Sequence, residues 1–242
     1  MQIFSKTDRG RVRTDNQDAY FAGKITDGSV FAVVCDGMGG ANAGNVASEL
    51  AVRHISEYVI RSYRDGMDMT DTEKTLKNAI VSANISLYDK AVNNAELAGM
   101  GTTAVAAFVK DGTAVIAHVG DSRIYLVNGE IKQLTRDHTL VQNMIDRGEL
   151  SVEEAEHHPK KHYITRAIGV GDTLDIDYQM YELKKESVVL LCTDGLSNYL
   201  KLEKLPELLK SCIRKGSLQE LIDYANNRGG SDNITAVVLY RQ

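Results

Sequence analysis

The chain has 242 residues, of which 43% are hydrophobic and 25% are charged, a composition typical of a soluble globular protein with a substantial core. Its net charge of −5 disfavours a nucleic-acid or anionic-membrane partner. No apolar run is long enough to cross a bilayer and the first residues lack the apolar core of a signal peptide, so we expect a cytoplasmic protein.

The first part of the chain is predicted to form strands followed by two long helices. Residues 1–35 have the character of strands joined by a basic turn. Apolar residues at helical spacing then predict one helix from Asn45 to about Arg64. A second helix is predicted from Thr70, which forms a capping-box pattern with Glu73. Each helix has an apolar face that needs a partner surface.

The remainder is predicted to form hairpins, a polar insertion, a central strand, two helices and a last strand. Residues 103–119 and 124–134 have the pattern of two hairpins. The polar stretch 136–166 is predicted to be a mobile insertion over the sheet, with a capping box formed by Ser151 and Glu154. A strand at 187–193, helices at 203–213 and 218–225, and a strand at 234–240 follow, with Ser217 and Glu220 as a further capping pair.

This order of elements predicts an α+β fold. Regular alternation of strand and helix is missing, so a parallel βαβ sheet is disfavoured. The sequence has no repeat and no linker-like stretch, and we therefore expect one domain over residues 1–242. Two stacked sheets with the helices outside would bury both helix pairs.

Three aspartates stand beside glycine or another small residue at the edges of apolar strands. Asp36 and Asp194 each end an apolar run and precede a glycine, and Asp232 lies in a Gly-Gly-Ser-Asp-Asn turn before a strand. An Asp-Gly pair usually marks only a turn, which is our interpretation of Asp111. An apolar run that ends in Asp-Gly occurs twice, which favours a metal centre for Asp36 and Asp194. Asp232 alone would fit a metal ligand and a turn residue equally well.

The ligand types indicate which metal such a centre would take. Carboxylates, with the Gly37 carbonyl beside the first, suit Mg²⁺ or Mn²⁺, while zinc prefers nitrogen and sulfur. The three cysteines are widely spaced and odd in number, which favours buried thiols over disulfides or zinc ligands. The histidines are likewise not expected to bind zinc. His157, His158 and His162 suit a solvated loop, and His54 and His118 suit packed or surface positions.

Three further residues are weaker candidates. Asp121 follows a strand and could bind an additional ion or cap its turn, and Asp18 could hold a metal-bound water or pair with an arginine. Arg13 could clamp a phosphate, since a guanidinium meets phosphate oxygens bidentately. A nucleotide-binding loop is disfavoured, because Asn45 follows Gly44 where that motif requires lysine.

Seven segments together give the chain a family resemblance. It resembles the metal-dependent Ser/Thr protein phosphatases of type 2C (the PPM family), and specifically their compact bacterial members. The segments follow the family's order across essentially the whole chain: Gly10–Arg13 with Asn16–Ala19, Val34–Gly40, Gly101–Thr103, Gly120–Arg123, Leu134–His138, Cys192–Leu196 and Gly230–Thr235. The resemblance implies a four-layer α-β-β-α sandwich of two antiparallel sheets flanked by helix pairs. It also implies that residues 136–166 form a flap beside the active site.

The resemblance further implies a centre of two Mn²⁺ or Mg²⁺ ions at one edge of the sandwich. Asp36 would bridge the two ions, with the Gly37 carbonyl completing the first site and Asp194 and Asp232 holding the second ion. Of the weaker candidates, Asp121 would fall at a third, weaker ion site, Asp18 would bind the first ion through water, and Arg13 would grip the substrate phosphate.

The implied activity is hydrolysis of phosphoserine and phosphothreonine in proteins. A hydroxide formed between the two ions would attack phosphorus in line, without a phosphoenzyme. One departure concerns Met38, which stands where eukaryotic members have a histidine proposed as the general acid and cannot donate a proton. Bacterial members commonly share this departure; the acid is left unassigned, with a metal-bound water as the first candidate.

The implied partners are phosphorylated proteins, the substrates of a cognate Ser/Thr kinase in signal transduction, and we expect a monomer. Two alternatives remain open: a phosphatase dedicated to one regulatory partner, and a catalytically silent phosphoprotein-binding module. The absence of an appended sensor or coiled coil disfavours the first, and the presence of all the metal aspartates disfavours the second.

Overall fold

The computed structural model describes residues 1–39 and 43–242. The strands are β1 Gln2–Asp8, β2 Asp18–Lys24, β3 Val30–Met38, β4 Gly101–Thr102, β5 Ala104–Lys110, β6 Thr113–Val119, β7 Arg123–Val127, β8 Ile131–Gln133, β9 Asp177–Glu182, β10 Val188–Cys192 and β11 Ile234–Tyr240. The helices are α1 Ala43–Ser62, α2 Met69–Asn93, α3 Leu140–Asp146, α4 Val152–Glu156, α5 Asp194–Ser197, α6 Leu205–Lys215 and α7 Gln219–Asn226. Gly40, which the sequence placed in the Val34–Gly40 motif, lies outside the described residues.

The strands form two antiparallel sheets. Sheet I has the strand order β1-β11-β10-β7-β8, and sheet II has the order β2-β3-β5-β6-β9, with the short β4 paired to β3. The two predicted hairpins are present as β5–β6 and β7–β8. Strand β9 was not predicted. It is a mostly exposed edge strand, and the apolar-polar alternation over residues 174–180 is a strand signal that the prediction overlooked.

Three apolar clusters hold the layers together. The central cluster joins the two sheets through residues such as Val34 and Val105 of sheet II and Leu191 and Val237 of sheet I. A second cluster packs α1 and α2 on the outer face of sheet II, and a third packs α6 and α7 on the outer face of sheet I. The layer order α-β-β-α confirms the predicted α+β sandwich.

The ends of several elements differ from the sequence-based expectation. Strand β3 continues through Asp36 and Gly37 to Met38, because these residues still pair with β2 and β4. Helix α2 is capped by Asp68, whose side chain accepts from the Asp71 N–H, so the capping box predicted at Thr70 is wrong. At α7 the predicted pairing of Ser217 with Glu220 is replaced: Leu218 holds the N-cap position, and the Ser217 hydroxyl accepts from the Gln219 N–H at 3.2 Å.

The polar insertion contains α3 and α4. The capping box of Ser151 and Glu154 at the start of α4 is confirmed by both of its hydrogen bonds, at 2.8 and 3.2 Å.

Among the described residues, no helix combines the length and the apolar character that crossing a membrane requires.

Helix α2 allows a test of the packing against sheet II with a matched control. Ile80 is fully buried in the outer cluster, whereas Ile85 on the same helix is 50% exposed. We expect Ile80→Ala to lower the free energy of unfolding by about 2–5 kcal/mol, because it removes buried methyl groups and leaves a cavity. Ile85→Ala makes the same change in helix propensity and is expected to shift that free energy by at most about 0.5 kcal/mol. Urea unfolding measures both, and equal losses would contradict the assigned helix face.

Candidate metal centre

The two sheets meet at one edge where their strands deliver carboxylates to a common point. In sheet II, Asp18 at the start of β2 pairs directly with Asp36 in β3. The backbone of Asp36 is held on its other side, because its N–H donates to Thr103 Oγ1 at 2.9 Å and its carbonyl accepts from the Thr103 N–H at 2.9 Å. Contacts within sheet II alone therefore hold the carboxylates of Asp18 and Asp36 side by side.

Sheet I contributes Asp194, at the start of α5 just after β10, and Asp232, just before β11. Thr193 joins the two sheets: its hydroxyl donates to Asp18 Oδ2 at 2.9 Å and accepts from the Thr235 N–H at 3.0 Å. Asp194 Oδ2 accepts from Asn198 Nδ2 at 3.1 Å. Sequence reasoning missed Thr193 as a link, because its partner Asp18 is 175 residues away.

The glycines after Asp36 and Asp194 serve close backbone packing. A Cβ on Gly195 would overlap the Asn233 carbonyl oxygen, and a Cβ on Gly37 would overlap the Gly44 carbonyl oxygen. Neither glycine has a positive φ, so the space around the backbone is the constraint here. The Asp-Gly pairs therefore mark points where neighbouring segments pack against the carboxylate strands.

The carboxylates destabilise one another's charge. Burial, and then the charges of Asp18, Asp194 and Asp121, hold the pKa of Asp36 well above its ordinary value. Burial is also the first cause that raises the pKa of Asp18 to about 7 and that of Asp121 to about 8, and the charge of Asp194 adds to both. The pKa of Asp194 is raised by burial and then by Asp232. Without a cation, this edge favours protonated carboxyl groups.

Among these carboxylates, two buried oxygens have no hydrogen-bond partner within residues 1–39 and 43–242: Asp18 Oδ1 and Asp194 Oδ1. A buried carboxylate oxygen without a donor is costly, and a divalent cation removes that cost along with the repulsion between the charges. Carboxylate oxygens, with the carbonyl of Gly37 beside Asp36, form a hard donor set that suits Mg²⁺ or Mn²⁺. The residues present therefore fit the predicted metal centre.

Arg13 lies at the rim of this group. Its Nη2 donates to Asp232 Oδ2 at 2.8 Å, while its side chain remains 54% exposed. The hydrogen bond to Asp232 raises the pKa of Arg13, and the charges of Asp36 and Asp194 raise it further. The structure thus brings a permanent cation next to the carboxylates on the solvent side.

The structure places two other residues that the sequence singled out around the same edge. Asp121 follows β6, is buried, and lies close enough to Asp36 for its charge to raise the pKa of Asp36. The Met38 side chain packs against Gly101, where a Cβ would lie 2.9 Å from its terminal methyl group. The thioether of Met38 has no proton to donate.

One residue of the predicted flap reaches the centre. Nδ1 of His162 lies 4.0 Å from Asp194 Oδ2, although its side chain is 60% exposed. The sequence placed His162 in a solvated loop with His157 and His158 and carried no signal for this approach, since only the tertiary fold brings residues 162 and 194 together.

A second group of possible ligand atoms lies elsewhere, in His118, His138 and Asp177, within 4.8 Å of one another. The Gly120 N–H donates to His138 Nδ1 at 3.1 Å, so the ring proton resides on Nε2, which faces Asp177 Oδ2 at 3.2 Å. Binding a metal at Nε2 would require loss of that proton. Arg166 already donates to Asp177 Oδ1 at 3.0 Å, so one ion pair and one hydrogen bond from a neutral histidine tie the predicted flap to sheet II at Asp177.

Known proteins share this sequence and fold. The family model described as Protein phosphatase 2C matches residues 8–231. A serine/threonine phosphatase stp of Listeria welshimeri is 39% identical over 241 residues, covering 98% of this chain and 94% of the relative.

Solved structures agree with the family model. The S. agalactiae serine/threonine phosphatase superposes with a TM-score of 0.91 at 34% identity, covering 100% of this chain and 99% of that one. The catalytic domain of the serine threonine protein phosphatase PstP in complex with two manganese ions superposes with a TM-score of 0.84 at 30% identity, covering 100% and 98%. The match over residues 8–231 and the near-complete coverage of these relatives show that this chain belongs to the protein phosphatase 2C family.

Proposed function

We propose that this chain hydrolyses phosphoserine and phosphothreonine in proteins with divalent cations held by Asp36, the Gly37 carbonyl, Asp194 and Asp232. The observation that carries this assignment is the convergence of buried carboxylates whose pKa values are raised by burial and by one another. Two of their oxygens, Asp18 Oδ1 and Asp194 Oδ1, have no other partner among the described residues. The class of activity is that of the serine/threonine phosphatases to which the chain is 34–39% identical over nearly its full length.

When bound, the cations would lower the pKa of a coordinated water and neutralise charge on the phosphoryl group. The chain's own part is to hold the ligands rigidly. Asp36 is fixed between β2 and the backbone of Thr103, and Asp18 is oriented by the Thr193 hydroxyl so that its other oxygen, Oδ1, is left for a water or an ion.

Arg13 would bind the phosphoryl oxygens from the solvent side. Its bond to Asp232 uses only Nη2, and the guanidinium has further N–H donors arranged to meet two oxygens of one phosphate. A cation that contacts these oxygens stabilises the charge that shifts during in-line displacement. Met38 cannot protonate the leaving oxygen, and the group that does so is left unassigned.

The remaining features of the assignment come from the relatives and from the sequence. Two ions per chain are supported by the two manganese ions in the PstP neighbour, and Asp121 is our candidate ligand for a weaker third ion. We further propose that residues 1–242 act as one phosphatase domain with a flap at 136–166. The choice of Mn²⁺ or Mg²⁺, the cognate kinase, the monomeric state, the cytoplasmic location and the role in signal transduction stay predictions from the sequence.

The metal assignment predicts a cation-dependent activity that one carboxylate controls. Phosphate release from a phosphothreonine peptide should require Mn²⁺ and stop in chelator. Asp194→Asn should lower kcat/KM at least about 100-fold, because the exchange removes a charged ligand oxygen. Asp111→Asn makes the same chemical change in the exposed Asp-Gly turn of the β5–β6 hairpin and should retain wild-type activity. Turnover that persists in chelator would contradict the assignment, and binding of the peptide without turnover would favour the silent binding module.

The raised pKa values predict how the metal-free protein responds to pH. Asp18 has a folded pKa of about 7, above the ordinary value of 3.8, so the folded state binds its proton more tightly than the unfolded state does. This group therefore costs no stability at low pH and costs progressively more as pH rises from about 4 to above 7. In chelator, Asp18→Asn should raise the melting temperature above that of the wild type, by an amount that grows between pH 5 and pH 8.

The amide that Asp18→Asn introduces can still accept from the Thr193 hydroxyl, so the substitution removes the charge while keeping the hydrogen bond. Asp111→Asn is the control and should show no such growth with pH. A melting-temperature difference for Asp18→Asn that is constant or shrinks from pH 5 to pH 8 would contradict the charge repulsion at this edge.

A further inference from the structure

Residues 9–17, here named the arginine loop, carry Arg13 between β1 and β2 without regular secondary structure. Residues 11–15 are all exposed, and Val12, the one large apolar side chain among them, is 67% exposed. Burial of apolar surface therefore contributes little to the position of this loop, and hydrogen bonds have to define it.

One buried side chain makes bonds to both ends of the arginine loop. Asn233 is 5% exposed, and its Nδ2 donates to the Arg9 carbonyl at 2.9 Å and to the Asp15 carbonyl at 2.8 Å. Its Oδ1 accepts from the Gln17 N–H at 2.8 Å. Both N–H groups and the carbonyl oxygen of the amide are thus used on backbone groups of the loop.

The turn that contains Asn233, residues 229–233, supports the arginine loop at two other points. The Arg11 N–H donates to the Gly230 carbonyl at 2.7 Å. Gly10 packs so closely on the turn that a Cβ there would overlap the Asp232 carbonyl oxygen. The middle of the loop then reaches the candidate centre through Arg13, whose Nη2 lies 2.8 Å from Asp232 Oδ2.

Asn233 is also connected to the metal side of the site. Gln17, whose N–H it binds, accepts through its carbonyl from the Gly37 N–H at 3.0 Å. The backbone N–H of Asn233 donates to Asp232 Oδ1 at 2.9 Å. Asn233 therefore binds Asp232 directly, and it is connected to Gly37 through Gln17 and to Arg13 through Asp232.

We propose that Asn233 is the positioning residue that sets Arg13 for the substrate phosphate. The inference rests on the proposed role of Arg13 in phosphate binding. A neutral amide suits this position because it offers two donors and an acceptor on a short side chain. An aspartate has the same shape but lacks the donors, and an alanine lacks both functions. The effect on the reaction passes through the geometry of the loop, since Asn233 itself is buried.

The test compares Asn233→Ala with Asn84→Ala as a matched control. Asn84 is similarly buried and also makes two bonds to backbone groups, from Nδ2 to the Gly171 carbonyl at 2.9 Å and from the Gly169 N–H to Oδ1 at 2.8 Å, but it lies on α2, away from the arginine loop. We expect Asn233→Ala to raise KM for the phosphothreonine peptide and the inhibition constant of inorganic phosphate about tenfold, the effect expected when a charge-assisted bond is misaligned. Asn84→Ala should lower the melting temperature but leave the inhibition constant within about twofold of the wild type.

A double-mutant cycle with Arg13→Ala identifies the route of the effect. If Asn233 acts through Arg13, its substitution should change the inhibition constant of phosphate little once Arg13 is absent. Additive losses in the double variant would overturn the proposal, and so would an unchanged inhibition constant in Asn233→Ala. A wild type that lacks Mn²⁺-dependent turnover would instead refute the proposed function.

Hydrogen exchange in chelator gives a readout that is independent of activity. Asn233→Ala should speed exchange of the amides of residues 9–17, whereas Asn84→Ala should not. Asn233→Asp serves if the alanine variant does not fold: it loses both donors but keeps the acceptor, so residues 9–15 should exchange faster while the Gln17 amide stays protected. Unchanged exchange across the arginine loop in the folded variants would overturn the proposal.

Discussion

The repulsion among buried carboxylates at the edge where the two sheets meet is the constraint on which this structure depends. Burial is the largest cause that raises the pKa values of Asp18, Asp36 and Asp194, and neighbouring carboxylates raise each of them further. A chain folds around such a group only if other interactions compensate. Here the ladders of both sheets and three apolar clusters hold the edge in place, so binding of a cation and stability of the fold are coupled.

The sandwich holds the carboxylates of the two sheets in a defined arrangement despite their repulsion. Two pairs of carboxylates come from different sheets, and single polar links align them: Thr193 connects sheet I to Asp18, and Gln17 connects Asn233 to Gly37. The glycines beside Asp36 and Asp194 allow neighbouring backbone to approach without a Cβ in the way. Ligands on rigid strand ends, with variable loops around them, form a site whose chemistry is separate from the fold that supports it.

Two segments flank the carboxylates, and hydrogen bonds anchor each of them differently. The arginine loop depends on the amide of Asn233, which binds only backbone groups and is therefore insensitive to the side chains of the loop. The predicted flap, residues 136–166, is anchored through side chains, because Arg166 and the neutral His138 both bind Asp177. His162 then extends from the flap toward Asp194.

The sequence by itself determined the class of fold and the positions of the candidate ligands. Apolar runs that end in Asp-Gly, hairpin turns and helical spacing are local patterns, and local physics is enough to recognise them. The signals for strand β9, an apolar-polar alternation over residues 174–180, and for the cap of α2 at Asp68 are local as well, and the prediction overlooked both. Only the tertiary structure decided the links of Asn233 to Arg9 and of Thr193 to Asp18, because residues 175 to 224 positions apart become neighbours only when the whole sandwich closes.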